Sequence, residues 1–549
     1  AIPTFEFLKS QVDTGYFEDL IRTYLLENTH GSIVIIRPER GRTARMDRDL
    51  AEKLKAYKES LTPEEVQKLV DDTHELEQYQ EEESSPEDLA KIPVLKREDI
   101  SREIAPVYND ELEIGGVKLV HHNVETNGIG YVTMMFDLSG IREELLPYVG
   151  ILQSVLGIID TSNYEYGELF NEINVHTGGI GTSLELYTDV TKVKEKEFRA
   201  TFEMRGKALY PKMDVLFTMM REILMESRLD DEKRLKEILA MLKSRLQMSF
   251  LSSGHTTAAL RALSYTSPMA KFKDDTDGIG FYETVKLIEE DFDGQKETLI
   301  RNLKEIAQRI FRTDNLMLSY TSAEEGLEPM EKAFTSVKDT LHSEAEVPAE
   351  ACVLHCRKRN EGFKTSSKVQ YVARVGNFID GGQEYRGALQ ILKVILGYDY
   401  LWQNIRVKGG AYGCMSNFNR IGEAYLISYR DPNLERTMEV YEGVVDYLKN
   451  FNVSDRDMNM FIIGTMSSLD RPMNPSAKGS RSMNLYMNRV SEEMLRTERG
   501  QILDARQEDI RALADVVQAM LDQRLLCVIG SEEKIEEQKD MFLEVRTLC

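Results

Sequence analysis

Long apolar runs are missing from this chain of 549 residues. No stretch approaches the roughly 18–20 consecutive apolar residues that span a bilayer, and the longest candidates are amphipathic or broken by charge. The opening AIPTFEFLKSQ has no basic region followed by an apolar core, so it does not read as a signal peptide. Basic residues are short as well: 69 Lys and Arg face 93 Asp and Glu, a net charge of −24. That balance disfavours a protein that grips the phosphates of a nucleic acid. It suits an acidic soluble surface, and it would attract cationic peptides if the acid lines a cavity. Cysteine is sparse and odd in number, with five residues at 352, 356, 414, 527 and 549. Such a count argues against a disulfide framework and for a reducing compartment.

Complete catalytic motifs are also absent. The eight histidines include neither H-x-x-E-H nor H-E-x-x-H, the spacings that turn two imidazoles and a glutamate inward on one helix. His121 and His122 are adjacent in VHHNVETNGIGY, so on a strand they point to opposite faces and cannot chelate one ion together. CVLHC brings Cys352, His355 and Cys356 close in sequence but lacks a second ligand pair, so it reads as strand or loop packing rather than a zinc site. No P-loop, complete G-x-G-x-x-G fingerprint or G-x-S-x-G elbow occurs. On its own residues the chain carries no complete catalytic centre and no metal site.

What is present is ample core material, 42% hydrophobic residues, at a length that predicts roughly three or four domains. An internal duplication organises it. YVTMMFDLSG from Tyr131 alternates like a half-buried strand and is followed by the helical PYVGILQSVLG. The same order returns 240 residues later, as YVARVGNFID from Tyr371 and then GALQILKVILG. Downstream, NVHTGGIGTS (174–183) faces RVKGGAYGCM (406–415), and these run on to the strand patterns SLELYTD and AYLISYRD. Both units close with a helix leading into a strand, in LIRNLKEIAQRIFRTDNLMLSYTSAEE and DIRALADVVQAMLDQRLLCVIGSEE. YFEDLIRTYLLENTHGSIVIIRPER, from Tyr16 to Arg40, is a third such ending, without a matching beginning.

These patterns predict an α+β protein in four parts. Residues 1–40 are the closing helix and strand of a preceding, mostly absent unit. Residues 41–100 form a helical hairpin, with Thr62 as N-cap and Pro63 in the first helical position of its second helix. EEESSPED (81–88) ends the hairpin as a solvated acidic turn. Residues 101–340 and 341–549 are the two homologous α/β units, joined by a loose, charged, proline-interrupted link over about 325–350.

The most distinctive stretch is RVKGGAYGC at 406–414. Gly409 and Gly410 can make a tight turn with Tyr412 packed across a strand, the bland reading. In the functional reading the turn opens onto a strand near Met415, and Arg406 and Tyr412 project toward a substrate. Both groups are hydrogen-bond donors suited to an oxyanion in a site shielded from water.

Taken together, LLENTH with SIVIIRPER, the acidic hairpin, ETNGIGY (125–131), RVKGGAYG (406–413) and SYRDPNL (428–434) are informative. The chain resembles the C-terminal half of the presequence-protease branch of the pitrilysin/insulinase metallopeptidases, the inverzincins. The resemblance covers nearly the whole chain, and 406–434 is its most specific part. It implies four homologous α/β units, each a mainly antiparallel sheet with helices on one face, in two halves joined by the hairpin and closing around an unfolded peptide. It further implies zinc on an H-x-x-E-H helix of the N-terminal half, with none bound by this chain. Arg406 and Tyr412 match the pair that completes the catalytic site, and Gly409, Gly410 and Ala411 would be substrate-binding backbone. The first unit's NVHTGGIGTS has His176 but no matching tyrosine, so it is a structural loop or chamber wall. The expected partners are the zinc-bearing half and unfolded peptides, with no nucleic acid and no membrane. A bacterial chain of this kind would be cytoplasmic; a eukaryotic one would lie in the mitochondrial matrix or plastid. The alternative is a non-catalytic subunit of the same fold, acting as scaffold or peptide holder.

Overall fold

The computed structural model describes residues 2–548 apart from 38, 40, 83 and 343–351. The chain divides into two compact units, Ala1–Pro93 and Val94–Cys549.

The first unit consists of helices: Ile2–Ser10, then Tyr16–Ile21 running on as a wide π turn, Arg22–Leu26, then Arg42–Ser60, Pro63–Glu81 and the short Pro86–Ala90. The capping signal at Thr62 is realised in full. Its hydroxyl accepts from the Glu65 N–H at 3.2 Å, and the Glu65 carboxylate accepts from the Thr62 N–H at 2.8 Å. None of the described residues of this unit is buried. Leu50, Leu54 and Tyr57 on one long helix, and Leu69, Val70 and Leu76 on the next, remain exposed. The acidic stretch 81–88 is only partly a turn, since Ser85 caps the helix Pro86–Ala90. The strand expected over SIVIIRPER is not formed in its described residues 32–37 and 39; positions 38 and 40 lie outside the described residues. Residues 27–37 have no regular structure, and Ile33, Val34, Ile35 and Ile36 are 74–91% exposed. A β-prone sequence becomes a strand only when a neighbouring strand meets its N–H and C=O groups, and the described residues of this unit include no strand.

The second unit holds two six-stranded sheets. The first is built from β1 (Asp110–Ile114), β2 (Val117–Asn123), β3 (Ile129–Asp137), β4 (Ile180–Tyr187), β5 (Arg199–Leu209) and β6 (Leu316–Ser322), in the order β1-β2-β6-β3-β5-β4. All its pairings are antiparallel except β2 with β6. The other contains β7 (Glu361–Thr365), β8 (Tyr371–Asn377), β9 (Gly413–Phe418), β10 (Glu423–Tyr429), β11 (Leu525–Ser531) and β12 (Glu544–Thr547), in the order β12-β7-β11-β8-β10-β9. The duplication is visible strand by strand: β3 and β8 sit in matching positions, as do β6 and β11, and the helices Leu146–Val155 and Ala388–Tyr398 follow β3 and β8.

Two readings of the sequence need correction, and the two units differ in one further respect. AYLISYRD is not the counterpart of SLELYTD. SLELY ends the edge strand β4, whereas AYLISY forms β10, one position inward, and the shorter β9 is the edge strand that follows the glycine loop. The two units also differ in their sixth strand: β1 pairs antiparallel at the start of its unit, while β12 pairs parallel near the end of its own. Finally, the link over 325–350 is not loose throughout. Leu327–Lys338 is a helix that buries Met330, Ala333, Phe334 and Val337, while 343–351 lies outside the described residues.

The second sheet is covered on both faces. Val372, Leu426 and Val528 pack into a core with the helices Ala388–Tyr398, Glu435–Lys449 and Ala514–Leu521. The alternate residues Tyr371, Ala373, Cys527 and Ile529 join a core shared with the first sheet's unit, where the helix Glu232–Leu263 crosses them. This helix is kinked at Ser253 (φ −129, ψ 28), beside Tyr371. A buried ion cluster adds polar contacts at the same junction. Arg261 on the helix donates to Glu361 on β7 at 2.6 and 2.9 Å and to Asp274 at 2.6 Å.

Candidate functional site

The glycine loop folds as a helix end followed by an edge strand. Trp402–Val407 is a π-helical turn. It is closed by the Gly410 N–H donating to the Arg406 carbonyl at 2.9 Å and the Ala411 N–H to the Ile405 carbonyl at 3.0 Å. Two glycines are required here for different reasons. A Cβ on Gly409 would stand 2.4 Å from the Ile405 carbonyl oxygen, and Gly410 adopts φ +78. The Gly409 carbonyl accepts from the Asn433 side-chain amide at 2.6 Å, which ties the turn to the SYRDPNL segment. Ala411 is buried. The Tyr412 N–H then donates to the Tyr429 carbonyl at 3.0 Å, and β9 begins at Gly413.

This turn brings Arg406 and Tyr412 together. The Arg406 guanidinium lies 4.1 Å from the Trp402 ring and 5.7 Å from the Tyr412 ring, a double cation–π arrangement. The Tyr412 ring meets Tyr429 edge-on at 5.6 Å, and Tyr429 in turn contacts Tyr371 at 5.7 Å and His255 at 4.8 Å. Rings thus hold the pair from below while both side chains stay exposed, Tyr412 at 65%. Among the described residues neither the Arg406 guanidinium nor the Tyr412 hydroxyl makes a hydrogen bond, so both sets of donors face outward. The N–H groups of Gly410 and Ala411 are already used inside the turn, which leaves shape rather than donors at those positions.

Three neighbours of the pair are not evident from the sequence. Arg430 stands at φ +50 with its guanidinium 5.4 Å from the Tyr429 ring, and the nearby Tyr371 phenol raises its pKa. Burial raises the Tyr371 pKa, and the neighbouring Arg430 guanidinium opposes that rise. His255 offers Tyr429 a ring face with its Nδ1 buried and unpartnered, and burial lowers its pKa, which favours the neutral ring. Below the turn, Cys414 is pushed up to about 12 by burial, against the pull of the Arg406 charge, so it is an inert thiol. The only sequence hint is the SYRD segment itself, because a residue 174 positions before Tyr429 cannot be placed beside it by pattern alone.

The remaining candidates fall elsewhere. His121 Nε2 lies 3.1 Å from the Ser322 hydroxyl, and His122 bridges the Tyr108 carbonyl at 2.5 Å and the Ser319 hydroxyl at 2.9 Å. Burial pushes His122 down to about 4. His176 lies at the end of the helix Tyr166–His176 rather than in the loop expected for it, beside Lys212 at 3.4 Å and Glu172 at 3.6 Å. His355 pairs with Glu143 at 2.7 Å, and Cys352 and Cys356 are half-buried thiols that burial raises. Among the described residues no group of three or more His, Cys, Asp or Glu is arranged to hold a metal ion, so these residues do not fit zinc.

The fold agrees with that of solved peptidase structures. The chain has the architecture of an M16-type peptidase unit: it superposes with TM-score 0.53, at 13% identity, on a peptidase M16 inactive domain from Pseudomonas fluorescens, covering 77% of this chain and 97% of that one. Residues 36–288 match the associated family of the peptidase M16 group, subfamily C, and residues 360–532 match the PreP C-terminal domain. Protein HypA of Clostridium perfringens is 37% identical over 544 residues, 99% of this chain and 55% of that protein. Presequence protease 1, chloroplastic/mitochondrial, of Arabidopsis thaliana is 28% identical over 538 residues, 96% of this chain and 49% of that protein. The chain belongs to the presequence-protease branch of the pitrilysin family and corresponds to its C-terminal half. It spans about half the length of the curated relatives it matches. No helix among the described residues is long and apolar enough to cross a membrane.

Proposed function

We propose that this chain is the substrate-enclosing half of a zinc-dependent endopeptidase for short unfolded peptides. The zinc belongs to the N-terminal half; among the described residues of this chain no group of three or more His, Cys, Asp or Glu is arranged to hold it. Arg406 and Tyr412 hydrogen-bond the scissile carbonyl or the oxyanion that develops from it, and the bare backbone at Gly409, Gly410 and Ala411 lets the peptide pass close by. The observation that supports this most is the pairing of an exposed guanidinium and phenol on one hydrogen-bonded turn, with their donors unspent among the described residues. The exposed Ile33–Ile36 segment is the strand that a sheet of the other half would take up. The acidic balance of the chain favours cationic peptides. The enzyme works in the cytoplasm of a bacterium, or in the mitochondrial matrix or plastid of a eukaryote.

The test is to combine this chain with the half that carries H-x-x-E-H and measure peptide cleavage. Tyr412→Phe and Arg406→Ala should each reduce turnover about 10²-fold or more. Unchanged turnover in both variants would overturn the assigned roles. A second reading, a non-catalytic scaffold or peptide-holding subunit, is favoured by the likeness to a domain described as inactive. It requires peptide binding that both substitutions leave intact, without cleavage in any combination.

A further inference from the structure

Residues 94–109 run along the C-terminal helices before entering β1. Arg97 donates to Asn459 at 2.5 Å and to the Ala505 carbonyl at 2.9 Å, the Ser101 carbonyl accepts from Arg499 at 2.8 Å, and the Tyr108 N–H donates to Ser482 at 3.1 Å. Beneath this strap lies a cavity of about 190 Å³. Its apolar walls are Ile104, Leu469, Leu485 and Leu495.

The charges around the cavity are matched except for one. Arg420 is bound to Glu498, with its Nε 3.1 Å from the carboxylate, and Arg499 holds Asp470 at 2.7 and 2.8 Å. Arg481 donates only to main-chain carbonyls, those of Pro106 at 3.1 Å and Ala105 at 3.4 Å, and meets no carboxylate among the described residues. Burial and the like charge of Arg420 both depress its pKa, whereas its neighbour Tyr108 opposes them only weakly. A half-buried guanidinium that faces a cavity with no counter-ion is costly, and an anion entering the cavity would remove that cost. One unmatched positive charge calls for a single negative one, and four aliphatic walls call for a branched aliphatic group beside it.

We infer that this cavity binds a carboxylate carried on a small aliphatic residue, namely the C-terminal Leu, Ile or Val of a peptide. The choice of a peptide terminus over a free small acid rests on the proposed peptidase function; the carboxylate site itself does not. Arg481 would take the carboxylate, and the leucines the side chain. The site is built from the strap and the C-terminal helices, none of which carries Arg406 or Tyr412.

Calorimetric titration of the chain with N-acetyl-leucine and N-acetyl-alanyl-leucine, each beside its C-terminal amide, tests this without any cleavage assay. Both acids should bind saturably and both amides about tenfold or more weaker. Arg481→Gln should abolish the preference for acid over amide. Leu495→Trp, which fills the cavity and leaves the guanidinium in place, should abolish binding and guards against loss of fold in the arginine variant. Equal binding of acid and amide, or retained binding in Leu495→Trp, would overturn the site. Binding of N-acetyl-leucine alone would overturn the peptide assignment, and neither result would bear on Arg406 and Tyr412.

Discussion

Gly254 passes Tyr371 so closely that a Cβ at position 254 would stand 2.3 Å from the Tyr371 ring. The helix Glu232–Leu263 breaks its regular geometry one residue earlier, at Ser253, and the Tyr371 hydroxyl donates to the Leu251 carbonyl at the break. The ring that supports Tyr429, and through it Tyr412, is therefore set by this crossing. Gly254→Ala should destabilise the chain by roughly 1–3 kcal/mol, since neither ring nor helix has room to retreat. A lowered denaturant midpoint with unchanged slope is the expected result; an unchanged midpoint would show that the crossing yields freely.

Glu361 is fully buried and accepts from Arg261 and from the Tyr265 hydroxyl at 3.0 Å. Glu361→Gln leaves the Arg261 charge with Asp274 alone and should cost about 3–5 kcal/mol. Burial is the largest influence on Glu361 and raises its pKa, but the Arg261 bonds and charge, the Tyr265 hydroxyl and Arg359 together hold it below the ordinary 4.5. A depressed folded value means that this contribution is complete above about pH 4.5 and is lost as pH falls through the folded value. Acid unfolding followed by circular dichroism should accordingly be shallower in the variant than in the parent.

Glu423, at the start of β10, titrates in the opposite sense. Its carboxylate accepts from the Ser267 hydroxyl at 2.5 Å and the Asn419 amide at 3.3 Å, and burial raises its pKa against these bonds and the more distant Lys196 charge. The folded state therefore holds this proton more tightly than the unfolded chain, so stability falls as pH rises from about 4.5 through the folded value. Glu423→Gln should be more stable than the parent at pH 7 and equal to it in mild acid. Thermal unfolding midpoints at several pH values check this, and a variant less stable at every pH would contradict it.

Gly409 tests whether the shape of the turn matters to catalysis. Its added Cβ would collide with backbone, the Ile405 carbonyl oxygen at 2.4 Å, so the turn carrying Arg406 and Tyr412 must move. Misplacing them by an ångström should lower turnover in the reassembled enzyme about 10²-fold. Gly397→Ala is the control, because nothing lies within 4 Å of a Cβ there. Equal turnover in the two variants would show that the turn is not a positioning device.

Much of the fold is legible because the duplicated strands and helices obey local periodicity. YVTMMFDLSG and YVARVGNFID become β3 and β8, and both closing helix–strand pairs form β6 and β11 with their preceding helices. Mispairing AYLISYRD with SLELYTD has a simple cause. β9 is a six-residue edge strand that starts where the sequence places one, near Met415, but it is short and lies between the glycine loop and AYLISYRD, so local pattern matches the longer β10 to β4 in its place. The helix Leu327–Lys338 is hidden by flanking charge and proline, although its buried face holds Met330, Phe334 and Val337.

The site divides in the same way. The residues from 406 to 413 are readable, since the two glycines, the arginine and the tyrosine lie within eight consecutive positions. Their surroundings are not. His255, Tyr371 and Arg430 converge on Tyr429 from separate elements, and no local pattern records which distant side chains will share a core.

By itself the sequence determined the duplicated α+β plan, the capped helices of the first unit and the lack of a metal-ligand motif, because each depends on neighbours within a few residues. Tertiary structure alone decided that residues 32–37 stay without strand pairing, that β1 and β12 reach equivalent edges from opposite directions, and that Arg481 faces a cavity without a counter-ion among the described residues. Pairing, burial and charge compensation depend on groups far apart in the chain, and only folding sets them at contact distance.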